Sequence, residues 1–458
     1  MSNGQLPNYI ALAKPNPPAN RAPWYKNTAP TYAGIFLWFV FWSAVASGGA
    51  GVAGGILSQG IGVALLGLVI SALLCHFLFY LVPGMLGLQT GLPLYVVGSS
   101  TYGTQGGLLM PGFLMGILQF GWLGVNAYAS SMALAPLFNN NPVAQKIIAV
   151  LWAALAAFVA LKGIQYVAKV ATYLPLIPVV ILILLLVKAL GGLGNFDTAK
   201  LVAAAPAGSG AGLGVFGVIA LSISYIVGFF ATAGAAGVDF GTNSRDAKDV
   251  QMGGLVGIAL IIVLAGGASI LIAAGAFGLL GTYGLNTADP GFMGSLMGSA
   301  AAGKWMGLLL AVAAFPSACF SSFIAANSFK TTMPKVNPSI SVGIGAAVSA
   351  LLAVTGWAGD LVSVFGIIGA SFGPICGAMM VDYFLAGKKW AGPRKGWNQA
   401  GWISWAVGFI VGIAPIVGLA NIPAAPLVAF IVGAVIYFVL AKAGLQPPVV
   451  PMPGAEAK

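Results

Sequence analysis

The chain contains twelve apolar segments, each long enough to cross a hydrocarbon layer of about 30 Å. Because lipid offers the backbone no hydrogen-bond partners, segments of this length cross it as helices. Their expected spans are 31–55, 60–86, 109–137, 146–163, 166–190, 213–238, 252–278, 305–330, 338–357, 361–386, 401–419 and 424–443. The sequence therefore predicts an all-α polytopic membrane protein with twelve transmembrane helices.

The overall composition argues against a soluble or secreted protein. Only 6% of the residues are charged and 59% are hydrophobic, whereas about a quarter of a soluble domain is charged. Cys75, Cys319 and Cys376 all lie in apolar segments, and their spacing matches neither a zinc site nor a disulfide framework. The polar, proline-rich stretch 1–30 lacks the short apolar core of a cleaved signal peptide.

The positive charge follows the predicted topology rather than a nucleic-acid surface. The net charge is +11, from 19 Lys and Arg against 8 Asp and Glu. If the N-terminus is cytoplasmic, only four of the 19 basic residues lie outside, namely Lys146, Lys188, Lys200 and Lys304. Basic residues concentrate in cytoplasmic loops. We therefore expect a plasma or inner membrane location, with cytoplasmic tails at 1–30 and 444–458 and no nucleic-acid partner.

Two glycine-rich stretches lie in the first and sixth segments. The first is 43–55, which reads Ser-Ala-Val-Ala-Ser-Gly-Gly-Ala-Gly-Val-Ala-Gly-Gly, and the second is 228–237. Interrupted helices at matching places in two halves mark the binding site of many secondary transporters. The alternative is close helix packing through small residues. For the pair, five segments apart, we favour a binding site.

The membrane interior offers few ionisable groups. The acidic residues lie near segment ends and in loops, and the only histidine, His76, lies within the second segment. We interpret His76 as a neutral histidine that is hydrogen-bonded inside the bundle. Proton-driven carriers usually place titratable groups along their path. Carbonyls, hydroxyls, amides and rings instead suit a neutral, flat substrate and a sodium ion held by oxygens.

The third segment contains a stacking residue and an amide on one helix face. It reads Gln119-Phe-Gly-Trp122-Leu-Gly-Val-Asn126, and residues four apart share a face. An indole can stack on a planar ring while an amide one turn away reads its edge. The alternative is that Trp122 is a packing residue and Asn126 bonds a neighbouring helix.

The sixth and eighth segments supply further candidates. Phe229, Phe230 and Thr232 lie within the second glycine stretch, where one phenylalanine could cover the second face of a planar substrate. In the eighth segment Ala318, Ser321 and Ser322 share a face, so one carbonyl and two hydroxyls could point at one hard cation. The alternatives are core or lipid-facing phenylalanines and serines that bond back to their own backbone.

Several motifs together resemble those of a known transporter family. The strongest is Gly373-Pro-Ile-Cys-Gly-Ala-Met-Met-Val-Asp-Tyr-Phe384, which closes the tenth segment. Others are Gly91-Leu-Pro93 with Tyr102-Gly103, and Asp239-Phe240 with Lys248-Asp249. The chain resembles the nucleobase–cation symporter family of cytosine, hydantoin, allantoin and uracil permeases. The Gln119-Phe-Gly-Trp122 run and the glycine-rich first segment look most like cytosine permeases.

The resemblance implies a leucine-transporter-like fold with two inverted repeats, 31–190 and 213–386, followed by two helices in 401–443. The first and sixth helices are then expected to unwind at mid-membrane. The resemblance implies that Trp122 and Phe230 sandwich the base. The expected substrate-binding set is Trp122, Asn126, Gln119, Phe230, Thr232, Asn327 and Ser47. The expected sodium ligands are Ala318, Ser321 and Ser322 with first-helix groups at Ala44 and Ser47.

The chain also departs from the family's usual pattern. Ser321-Ser322-Phe323 replaces a Thr-Thr-Asn run, and Ser99 and Thr242 stand where arginines are usual. These changes bear on substrate identity more than on fold. We predict a sodium-coupled importer of a neutral nucleobase, cytosine or purine-like, or of a related heterocycle, with no enzymatic activity and no cofactor. The alternatives are a proton-coupled carrier of the same substrates, an amino-acid or other solute carrier of this fold, a channel and a membrane enzyme.

Overall fold

The computed structural model describes residues 6–162, 164–171 and 173–452. Within them, nine helices are long and apolar enough to cross a membrane. Two shorter apolar helices, Pro338–Val354 and Gln399–Ile413, and an interrupted first helix complete the predicted set. The all-α fold class and the twelve-helix arrangement are thus confirmed.

The spanning helices follow the predicted segments. In chain order they are Thr28–Leu37 with Phe39–Ser43, Gly60–Leu74 with Cys75–Tyr80 and Leu81–Thr90, Ser99–Gly107 with Leu108–Phe113 and Leu114–Leu134, Pro142–Lys162, Leu176–Ala189, Val215–Ala235, Ala247–Gly254 with Leu255–Leu260 and Ile261–Leu280, Ala300–Thr332, Pro338–Val354, Leu361–Leu385, Gln399–Ile413 and Ala425–Lys442. Shorter helices connect or flank them: Asn8–Ala11, Pro18–Asn20, Trp24–Lys26, Gly55–Gln59, Leu94–Val97, Ala135–Phe138, Ile164–Ala171, Leu190–Asn195, Thr198–Ala203, Gly237–Gly241, Pro290–Met297 and Trp357–Gly359.

The first glycine stretch is unwound. The first helix breaks at Trp38, whose φ of −58° and ψ of 126° are not helical, and it ends at Ser43. Turns then lead to a short helix that begins at Gly55. Gly48 and Gly49 have φ of +64° and +71°, a left-handed conformation that side chains rarely adopt. Glycine is therefore required for this path, and the first helix is interrupted as predicted.

The second glycine stretch is helical, so the expected unwinding of the sixth helix is wrong there. The helix is continuous over Val215–Ala235, and its interruption lies only at Ala236. A Cβ on Gly228 would lie 2.7 Å from the backbone oxygen of Phe365, and one on Gly234 would lie 2.8 Å from Cβ of Phe79. These glycines bring the sixth helix against the tenth and second helices, which is the packing role of small residues in membranes.

The tenth helix, Leu361–Leu385, forms the centre of the bundle. Of its 18-residue apolar stretch, 78% is buried, against 28% for that of the fourth helix, Pro142–Lys162. The fourth helix therefore lies at the periphery. The tenth helix packs against the sixth and twelfth helices, while the third packs against the eighth. The first, third, sixth and tenth helices meet in the interior, where the ring contacts described below occur.

The strongest sequence motif ends in a buried ionic network. The Asp382 carboxylate accepts hydrogen bonds from Ser100, from Arg394 Nη2 at 3.0 Å and from Tyr437 at 2.8 Å. Asp382 is 2% exposed. A buried carboxylate is tolerated when it is hydrogen-bonded and paired with a cation, and here Arg394 supplies the positive charge. The network ties the tenth helix to the start of the third helix, to the loop before the eleventh helix and to the twelfth helix.

The N-terminal tail is part of the fold. The Asn16 amide nitrogen donates to Gly91 O at 2.8 Å, and its side chain donates to Thr242 O at 3.0 Å. Trp24 N donates to the buried carboxylate of Asp249 at 3.1 Å. The tail therefore joins the loops that follow the second and sixth helices, on the predicted cytoplasmic side.

Candidate functional site

An aromatic cluster lies where the first, third, sixth and tenth helices meet. Trp122 of the third helix is its centre and is 8% exposed. Its ring centroid lies 5.1 Å from that of Phe229, 5.6 Å from that of Phe365 and 6.0 Å from that of Trp38. Pairs at these separations attract one another. A flat ligand that displaced one of these rings would find aromatic faces on several sides, so this cluster is the candidate substrate site.

Thr232 is brought to this cluster, as the sequence suggested. Trp122 Nε1 donates to Thr232 Oγ1 at 3.3 Å, and both residues are buried. The threonine hydroxyl is itself a donor as well as an acceptor. The pair therefore places a hydrogen-bonding edge beside the stacking surface of Trp122.

Phe230 faces a different neighbour from the one expected. Its ring stacks on Phe36, with centroids 5.5 Å apart and planes at 27°, and it also lies 5.7 Å from Tyr32. Consecutive residues of a helix point about 100° apart. Phe229 therefore takes the position against Trp122 that the resemblance assigned to Phe230.

Asn126 is fully engaged by neighbouring helices. Its Nδ2 donates to Ala314 O at 3.0 Å, while its Oδ1 accepts from Trp152 Nε1 at 3.0 Å and from Ser130 Oγ at 3.3 Å. It is 1% exposed. The structure thus gives Asn126 the alternative role considered from the sequence, in which it links the third, fourth and eighth helices.

Asn327 and Gln119 also lie apart from the ring cluster. Asn327 is exposed near the end of the eighth helix, and its carbonyl accepts from Thr331. Gln119 is buried, and its Nε2 lies 3.6 Å from Met115 Sδ. Gln119 faces a narrow crevice that it shares with Ser322 of the eighth helix.

The expected sodium ligands form two separate groups. Ala318 and Ser322 are buried on the eighth helix, and the Ser322 hydroxyl oxygen has no hydrogen-bond partner among the described residues. Ser321, beside them, is half-buried. An unpaired buried hydroxyl costs free energy that a bound cation would recover. The eighth helix therefore keeps its three candidate ligands together.

Ala44 and Ser47 do not join that group. Ser47 Oγ donates to Ala44 O at 2.9 Å, and Gly49 N donates to the same carbonyl at 3.3 Å, so the turn satisfies itself. Ala44 lines a cavity together with Tyr128, whereas Ser322 lines a different crevice together with Gln119.

A cavity of about 210 Å³ lies on the predicted outer side of the aromatic cluster. Its walls come from the interrupted first helix, the third helix and the loops before the eighth and tenth helices. Ser43, Asn286 and Asp289 are among its polar lining residues. A cavity of this size suits a small heterocycle better than a drug-sized ligand. Its lining includes Val125, which lies about one helical turn from Trp122 on the third helix.

Sequence reasoning missed three members of the ring cluster: Trp38, Phe229 as the partner of Trp122, and Phe365. Trp38 lies in the run Phe36-Leu-Trp-Phe39, which contains neither glycine nor proline to mark a break. Phe365 lies in an apolar segment with other aromatic residues nearby in the chain. Only the contacts in the folded protein identify these two residues as members of the cluster.

Solved structures identify the fold as that of a class of membrane transporters. No family model matches the sequence, and no curated protein matches it. The chain is similar to the structure of Mhp1, a nucleobase-cation-symport-1 family transporter, in a closed conformation with bromovinylhydantoin bound. That match has 15% identity, a TM-score of 0.67 and coverage of 97% of this chain and 96% of that one.

Two further structures extend the comparison. The inward-facing conformation of Mhp1 matches with a TM-score of 0.69 at 15% identity, covering 95% of this chain and 97% of that one. A Na⁺-coupled sialic acid symporter, in a substrate-bound outward-open state, matches with a TM-score of 0.55 at 13% identity, covering 96% and 93%. The resemblance drawn from the sequence motifs is thus confirmed at the level of the fold.

Proposed function

We propose that this protein is a secondary active transporter that imports a neutral nucleobase, cytosine or purine-like, or a related flat heterocycle, together with sodium. The observation that carries the proposal is the aromatic cluster around Trp122, in a chain with the fold of Mhp1. The rings of the cluster are uncharged, so a neutral planar ligand suits them. Base–aromatic stacking is worth about 1–3 kcal/mol per base in other proteins.

The rings of Trp122 and Phe229 now meet edge to face, with their planes at 82°. In this proposal one of them turns, and the heterocycle stacks between the two. The Thr232 hydroxyl, whose Oγ1 lies 3.3 Å from Trp122 Nε1, turns to the edge of the bound ring. The cavity that Ser43 and Asp289 line is the outer entrance. Alternating access follows if this side closes as the opposite side opens, and Mhp1 is known in both closed and inward-facing conformations.

Sodium coupling is proposed for two reasons. The comparison structures include a Na⁺-coupled symporter of this fold. The eighth helix also presents a buried Ser322 hydroxyl without a partner among the described residues, beside Ala318 and Ser321. Hydroxyl and carbonyl oxygens are ligands that a hard cation prefers. The turn at Ala44 and Ser47 would have to open before its oxygens could join them.

Uptake into proteoliposomes tests the proposal. Purified protein is reconstituted, and radiolabelled cytosine, uracil, adenine, hypoxanthine and hydantoin are offered with an inward sodium gradient, with equal sodium, or with an inward proton gradient. Accumulation driven by the sodium gradient is the expected result. Accumulation driven only by the proton gradient would favour the proton-coupled alternative, while equilibration without accumulation would indicate a channel.

We also propose that both tails are cytoplasmic in a plasma or inner membrane, with the two repeats at 31–190 and 213–386. The support is the charge distribution, which leaves four of the 19 basic residues on the outer side in this orientation. Under this orientation the folded N-terminal tail and the Asp382 network lie on the inner side, opposite the cavity.

A further inference from the structure

One buried indole N–H at the aromatic cluster has no hydrogen-bond partner among the described residues. It belongs to Trp38, at the break in the first helix. Three nearby indoles each have an acceptor: Trp42 donates to Leu37 O at 3.2 Å, Trp122 to Thr232 Oγ1 at 3.3 Å and Trp152 to Asn126 Oδ1 at 3.0 Å. A buried donor left unpaired is unfavourable, so the exception requires an explanation.

The position of Trp38 supplies one. Its ring centroid lies 6.0 Å from that of Trp122, with the planes at 60°, and 6.3 Å from that of Phe229. Its extended backbone, with ψ of 126°, interrupts the helix at this residue. The ring that carries the unpaired donor therefore lies beside the two rings between which a flat heterocycle is proposed to stack.

We propose that Trp38 is a specificity-determining residue whose indole N–H donates to an acceptor on the edge of the bound heterocycle. The inference rests on the proposed function and specifies its substrate class. An indole N–H can donate but cannot accept. The substrate must therefore carry a carbonyl oxygen or an unprotonated ring nitrogen in its plane, at the edge that faces the first helix. A bound acceptor removes the penalty of the unpaired donor, and an edge without one leaves it in place.

The test is a double-substitution cycle in which the Trp38 N–H and one acceptor of the ligand are removed, separately and together. Binding to purified protein is measured by titration calorimetry for the best heterocycle of the uptake panel and for analogues that each replace one acceptor with C–H or CH₂. Trp38→Phe keeps an aromatic ring and removes the donor. On the native protein, one analogue should bind about three- to tenfold more weakly than the parent, the range expected for one neutral hydrogen bond. The Trp38→Phe variant should bind the parent more weakly than the native protein does, by a similar factor. It should bind that analogue with the same affinity as the native protein does.

Trp42→Phe is the matched control. It removes an indole N–H four residues away that donates within the first helix, to Leu37 O. We expect it to lower thermal stability and to leave the ranking of the analogues unchanged.

The outcomes separate this inference from the proposed function. If Trp38→Phe binds parent and analogues as the native protein does, or weakens all of them equally, Trp38 only packs, and the inference is wrong while the transporter proposal stands. If the native protein binds none of the panel, the proposed function fails and the inference with it. If Trp38→Phe does not fold, the same cycle is run with benzothienylalanine at position 38, which keeps the ring size and lacks the N–H.

Discussion

Replacing Gly228 with alanine tests whether the second glycine stretch packs or unwinds. The added Cβ would lie 2.7 Å from Phe365 O and 3.0 Å from the carbonyl carbon of the same residue. Both atoms belong to backbone, so the sixth and tenth helices must separate to admit it. Overpacking of this kind costs about 1–3 kcal/mol, which exceeds the gain of up to about 1 kcal/mol from replacing a helical glycine with alanine.

The displacement also reaches the candidate site. Phe365 contacts Trp122 at 5.6 Å between centroids, so a shift of the tenth helix at this residue moves one wall of the cluster. We therefore expect Gly228→Ala to lower both thermal stability and substrate affinity. Gly121→Ala is the matched control, because Gly121 lies in the third helix and a Cβ added there would meet no atom of a neighbouring element within 4 Å.

Thermal unfolding in detergent, with and without substrate, measures both effects. Gly228→Ala should unfold at a lower temperature than the native protein, and Gly121→Ala at an equal or higher one. If the two variants are equally stable while only Gly228→Ala loses transport, the packing explanation is refuted. The stretch would then have to change conformation during transport.

Three further predictions concern the site, the ion and the topology. Trp122→Ala should weaken all accepted substrates together, by roughly tenfold or more at about 1.4 kcal/mol per decade; unchanged binding by folded protein would show that the ring only packs. Alanine at both Ser321 and Ser322 should raise the sodium concentration for half-maximal uptake by roughly tenfold or more, and an unchanged sodium dependence would contradict the ligand assignment. A cysteine next to Asp289 should react with an impermeant reagent added outside intact cells, whereas a cysteine next to Arg394 should not; the reverse pattern would invert the topology.

The number and order of the helices could be predicted because hydropathy is a local property. A spanning segment must be predominantly apolar wherever it packs. The resemblance assigned Trp122 and Thr232 to one substrate site, and the structure places their side chains 3.3 Å apart. The rotation of the sixth helix about its axis and the place of its interruption were predicted wrongly. Phe229 and Phe230 differ by one residue, and the sequence alone does not show which one faces inwards.

The two glycine stretches illustrate the same limit. Both are rich in small residues, yet Gly48 has φ of +64° while Gly228 lies in a regular helix against Phe365. A run of glycines permits both close packing and unwinding. The groups that lie opposite differ: backbone of the tenth helix faces Gly228, whereas the side chains of Leu221 and Tyr225 face Gly48 and Gly49.

The hydrogen bonds of Trp122 and Asn126 divide along a boundary in the bundle. A separate apolar cluster joins the third, fourth, eighth and ninth helices through small residues, including Ala127, Ala153 and Ala318. Every side-chain bond of Asn126 lies within that group of helices. The bond and ring contacts of Trp122 instead cross to the first, sixth and tenth helices. If the two groups move against each other, the Asn126 bonds persist and those of Trp122 must be remade. A ligand that bridges Trp122 and Phe229 can therefore influence that movement, because it binds the two groups differently as they rearrange.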